Sequence, residues 1–221
     1  MTYLLLTLIL AEFLALFLLS KLVSNALSKV FLRITKSQTL STYLLFFLFL
    51  PGILLHELSH IIVSILLFVP VGNVEFVPRI REGGVQMGSV MVGKTDPIRR
   101  LLIGLAPVLG GFLILLFLFF SWQTSAVSEG LKYVISIFII FEVTNTMFSS
   151  SKDLEGAAVL GIVALLLAVF LNVSGAELPG VLYDLLKSDQ SINILKKIAT
   201  LLLIPLAINT SVVFSSRLIR S

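Results

Sequence analysis

The 221-residue chain contains no cysteine, so it has no disulfide framework and no thiolate metal site. Charge is scarce: 13% of residues are Asp, Glu, Lys or Arg, against about 25% in an ordinary soluble domain. That scarcity excludes a soluble enzyme and a disordered chain. The pI is near 9.5, but the net charge is only +4 and the basic residues are scattered singly, which excludes a nucleic-acid binder. No repeat at a fixed period is visible, and no basic residue precedes the first apolar run, as a cleavable signal peptide would require. Histidine is also scarce, with two residues in the whole chain.

Apolar sequence is abundant: 57% of residues are hydrophobic and the mean hydropathy is +1.09. A bilayer core about 30 Å thick needs about 20 apolar helical residues. Six runs qualify: Tyr3–Leu19, Leu40–Val69, Leu101–Phe120, Leu131–Phe148, Leu154–Val173 and Ile198–Phe214. The expected fold is an all-α polytopic membrane protein of about six transmembrane helices, with a short membrane-associated β-hairpin. The hairpin is read from residues 71–97, where Val74, Phe76, Pro78 and Ile80 alternate with mostly polar neighbours. Glu82-Gly83-Gly84 supplies a turn, and Val85 to Val92 resumes a period of two. The whole chain, 1–221, reads as one membrane domain. Residues 1–39 hold the first helix and a surface segment, 40–173 a core with the hairpin, and 174–221 a loop and the last helix.

The loop from Ser121 to Gly130 has no Lys or Arg, which favours the outside and puts Arg79, Arg81, Lys94, Arg99, Arg100, Lys152, Arg217 and Arg220 in the cytoplasm. The same assignment puts Lys21, Lys29, Arg33 and Lys36 outside unless Lys21–Lys36 lies on the membrane as an amphipathic helix. Gly104, Gly110 and Gly111, with Gly156 and Gly161, are expected to permit close helix packing. Pro51-Gly52 is expected to kink the second helix, and Trp122 to anchor a helix end at the interface.

Both histidines fall in His56-Glu57-Leu58-Ser59-His60. Residues four apart share a helix face, so both imidazoles can hold one metal ion, with Glu57 beside them to take a proton from the attacking water. Ionisable groups at membrane depth are costly, about 2.5 kcal/mol or more each, which marks them as functional. Catalytic zinc usually takes three protein ligands, so a carboxylate must complete the set, from Glu12, Glu142, Asp153 or Glu155. His60 lies about 30 Å along the second helix, counted at ~1.5 Å per residue. Asp153 lies about 33 Å beyond the start of the fourth, which enters from the same face, and Glu142 only about 16 Å. Depth therefore favours Asp153 over Glu142 and leaves Glu12 open, about 12 Å from the far end of the first helix. Asp153 also opens the fifth helix, where the backbone dipole keeps a carboxylate ionised.

These residues resemble the site-2 protease family of intramembrane zinc metalloproteases. The first family signature, HExxH within a transmembrane helix, is matched by His56, Glu57 and His60. The second is an Asn, a Pro three residues on and an Asp-Gly pair eight residues after the Asn. Asn145 and Asp153 stand at that spacing, with Phe148 in place of the Pro and Leu154 in place of the Gly; Gly156 comes two residues late. The segment Val71 to Pro78 is similar to the family's short membrane-associated sheet. The resemblance spans His56 to Gly156. It implies that His56, His60 and Asp153 bind Zn2+, that Glu57 is general base and then acid, and that Asn145 donates to the oxyanion. The implied partners are the lipid bilayer and a membrane-protein or peptide substrate, with the active site nearer the cytoplasmic face.

The hairpin is read either as an edge on which an extended substrate segment adds or as an ordinary cover over the site. Two other functions share the motif: a non-catalytic metal-binding scaffold (pseudoprotease), motivated by Phe148 and Leu154, and a metal or proton transporter. Glu57 speaks against the first, because a structural site needs no base. The lack of an internal repeat speaks against the second.

Overall fold

Leucine, phenylalanine and valine on every face, with no glycine or proline before Lys36, give α1 (Thr2–Thr35), a single helix about 51 Å long at ~1.5 Å per residue. The computed structural model describes residues 2–75, 78–81, 84–86, 88–121, 128–148 and 188–218, with isolated helical positions between 162 and 174. Ile9, Glu12, Leu16, Ser20, Val23 and Ala26 form the buried stripe of α1 at helical spacing, while Leu4, Leu8, Leu14, Leu18 and Leu22 face outward. The stripe runs unbroken through Val23 and Ala26, so Lys21–Lys36 continues the first helix. The segment read as a surface segment from its charges is thus continuous with α1 as far as Thr35. Lys36, in the left-handed conformation, ends α1, and its N–H donates to Leu32 O at 2.8 Å.

Ser37 caps the second helix, α2 (Gln38–Leu66), and Ser41 Oγ donates back to Ser28 O of α1 at 3.0 Å. After α2, β1 (Val71–Glu75) pairs antiparallel with β4 (Ser89–Val92), and β2 (Arg79–Arg81) with β3 (Gly84–Gln86). The expected hairpin is therefore present, in two ladders, with a register shift between Val71 and Val74. Three further helices are described: α3 (Pro97–Ser121), α4 (Glu129–Thr146) and α5 (Asp189–Leu218). Among the described residues, four helical stretches are long and apolar enough to cross a membrane: Thr2–Thr35, Gln38–Leu66, Pro97–Leu118 and Asp189–Arg217. They make the chain a membrane protein. Trp122, Gly156, Gly161 and most of the fifth expected helix, Leu154–Val173, lie outside the described residues.

α1 packs along α5, and α2 packs against α1, α3 and α4. Leu16, Leu115, Val143, Met147 and Leu202 share one buried cluster, and Val23, Leu45, Phe46, Phe49 and Ile53 a second. His56, Glu57 and His60 continue the stripe of α2 that buries Phe49 and Ile53, so their side chains are turned into the bundle.

The entry to α3 is a compact cap. Asp96 Oδ1 accepts from the backbone N–H groups of Ile98 at 3.1 Å and Arg99 at 3.0 Å, with Pro97 at the first helical position. The Arg99 backbone N–H, with further help from its guanidinium, holds the Asp96 carboxyl below the usual carboxylate range. A lowered value means the cap is fully formed above the ordinary Asp pKa of about 3.9 and is lost as pH falls through the lower folded value. Amide exchange at Ile98 and Arg99, corrected for its intrinsic pH dependence, is expected to speed up across that acid window. It should be insensitive to pH in Asp96→Ala.

Candidate metal centre

His56, Glu57 and His60 project from the inward face of α2 and are 4, 5 and 6% exposed. The imidazole rings cross at 81°, with Nε2 of His56 and Nε2 of His60 3.2 Å apart. His60 Nδ1 lies 2.8 Å from the carbonyl oxygen of Ile103 on α3. A carbonyl can only accept, so Nδ1 carries the hydrogen and His60 presents the Nε2 lone pair to His56. Two imidazole nitrogens on a tetrahedral zinc, each at about 2.0–2.1 Å, stand roughly 3.3–3.4 Å apart. The pair therefore fits zinc in spacing and His60 also in tautomer, and the Nδ1 bond supplies the outer-shell orientation that metal-bound histidines require.

Glu57 faces the hairpin. Gly88, directly before β4, lies so close that a Cβ there would come 2.7 Å from Glu57 Oε1 and 3.2 Å from its Cδ. Glycine lets the hairpin backbone rest on this carboxylate; a larger residue would require the Glu57 side chain to shift. On the opposite side, a cavity of about 10 Å3, with room for roughly one water, opens between α2, α3 and α4 beside His56. Pro107, Gly111, Val143 and Thr146 are among its walls. Gly110 and Gly111 serve packing as expected: a Cβ at Gly110 would meet Ser59 Oγ at 2.8 Å, and one at Gly111 would meet Val143 Cγ1 at 3.0 Å.

Among the described residues, no third imidazole or carboxylate joins the histidines. Glu12 and Glu142 are thereby placed away from them, while Asp153 and Glu155 lie outside the described residues. Glu142, 1% exposed, accepts from the Gly52 N–H at 3.2 Å, one turn before His56, in keeping with its shallower expected depth. Glu12 is buried on α1, and its Oε2 has no partner among the described residues.

Asn145 donates one N–H to Phe141 O at 2.8 Å and the other to Asn209 Oδ1 of α5 at 2.9 Å. One donor is spent within α4 and the other on tying α4 to α5, and neither is directed at a substrate oxygen in this arrangement. Asn145 Oδ1 and Asn209 Nδ2 have no partner among the described residues. Sequence reasoning missed Asn209, Gly88 and the Ile103 carbonyl. Only a helix-breaking residue near each of the last two, Gly88 itself and Pro107, offered a signal.

Comparison of the chain with protein-family models, curated proteins and solved structures gives no match.

Proposed function

We propose that the chain is an intramembrane zinc metalloprotease that hydrolyses peptide bonds in or near transmembrane segments. The observation that carries this reading is the pair of buried imidazoles with Nε2 atoms 3.2 Å apart, one fixed in the metal-binding tautomer by a backbone carbonyl. His56 and His60 would hold the metal, with Asp153 as the third ligand. Zinc in such a site supplies Lewis acidity to the scissile carbonyl and lowers the pKa of a water it holds toward about 7.

Glu57 accepts the proton of the attacking water and returns it to the departing amine nitrogen, a transfer typically worth about 10²–10⁴-fold. Shielding under Gly88 keeps competing water from its carboxylate. Asn145 would donate to the developing oxyanion by exchanging its bond to Asn209. β4 contacts α2 and is paired with β1 along one edge of a two-stranded sheet; its other edge is where an extended substrate segment can add. The six-helix count belongs to this proposal, with Leu154–Val173 as the fifth span.

The test is the zinc content of the detergent-purified protein, followed by cleavage of a reconstituted transmembrane peptide. Near one zinc per chain is expected, with most of it lost in His60→Ala and in Asp153→Ala. Zinc retained in Asp153→Ala moves the third ligand elsewhere, and zinc without hydrolysis favours the metal-binding scaffold.

A further inference from the structure

In a regular α-helix the carbonyl of residue 103 accepts from the N–H of residue 107. Here residue 107 is proline, inside α3, and has no N–H to give. The Ile103 carbonyl, left without its helical donor, is the group that accepts from His60 Nδ1 at 2.8 Å. Pro107 is itself buried and shares with His56 the wall of the small cavity between the helices.

We propose that Pro107 is a positioning residue for His60: by withholding an amide hydrogen it frees the Ile103 carbonyl to fix the imidazole tautomer and aim Nε2. An unpaired buried carbonyl is costly, so the Nδ1–H group and the carbonyl each satisfy a need of the other. With alanine at 107 the helix regains its own donor and competes for the same oxygen. His60 is then free to carry its hydrogen on Nε2, which removes the lone pair a metal would use. The effect on metal affinity rests on the zinc reading; the effect on the tautomer does not.

The experiment compares wild type with Pro107→Ala and with Pro205→Ala, a proline inside α5. With only two histidines in the chain, nitrogen NMR of the metal-free protein reads each tautomer directly. His60 is expected to hold its hydrogen on Nδ1 in wild type and Pro205→Ala, and to lose that preference in Pro107→Ala. Zinc affinity should fall about 10–100-fold in Pro107→Ala alone, the usual cost of losing an outer-shell partner. A backbone ester at 107, which also lacks the N–H but has no ring, should retain wild-type affinity. Unchanged tautomer in Pro107→Ala, unchanged zinc affinity, or an ester as weak as alanine would each overturn the assignment. If the wild type takes up no zinc, the proposed function fails and the tautomer alone decides the role of Pro107.

Discussion

Glu57→Gln is expected to lower peptide hydrolysis by about 10²–10⁴-fold while leaving zinc content and melting temperature near wild type. The amide occupies the volume of the carboxylate, so the close approach of Gly88 to residue 57 is kept and the hairpin stays seated. The amide cannot accept the proton of the attacking water. His56 and His60 keep their spacing, because they contact each other directly and His60 is held by the Ile103 carbonyl. Single-turnover cleavage of a transmembrane peptide, read beside metal content, checks this. Hydrolysis at the wild-type rate would remove Glu57 from the chemistry.

Gly52→Ala is expected to destabilise the bundle by about 1–3 kcal/mol, the range for overpacking a close-packed interior. A Cβ at residue 52 would lie 2.7 Å from Thr146 Cγ2 and 2.9 Å from the Glu142 carbonyl oxygen. The second obstacle is backbone and cannot swing aside. The same movement stretches the bond from the Gly52 N–H to Glu142, leaving a buried carboxylate with fewer partners. Thermal melting in detergent checks the value. Thr146→Ala should relieve only part of the loss, because the carbonyl remains. A Gly52→Ala protein within about 0.5 kcal/mol of wild type would show that α2 and α4 can separate freely here.

Local patterns were legible and juxtapositions were not. The i, i+4 spacing of His56 and His60 is a property of one helix, and the hairpin follows from alternation and a Glu-Gly-Gly turn, so both could be read along the chain. The charges from Lys21 to Arg33 mark no break in the helix. Lys21 stays with the transmembrane helix, its ammonium 4.4 Å from the ring of Phe17, while Val23 and Ala26 continue the buried stripe. Asn145 was placed at a family spacing, yet its partner Asn209 lies 64 residues on, in another helix, and no local pattern links the two. Gly88 carries no chemistry of its own, and its role comes from the Glu57 carboxylate packed against it. The carbonyl that orients His60 belongs to an isoleucine, which carries no polar side chain to attract notice; only the proline four residues later marked it.

X-ray absorption at the zinc edge of the purified protein tests the central claim most directly, because it counts the imidazoles as well as the metal. The account predicts two imidazole nitrogens at about 2.0–2.1 Å with oxygen completing a four-coordinate shell, and loss of one imidazole from any zinc that remains in His60→Ala. A zinc shell without imidazole scattering, or a protein that takes up no zinc after reconstitution, would contradict it.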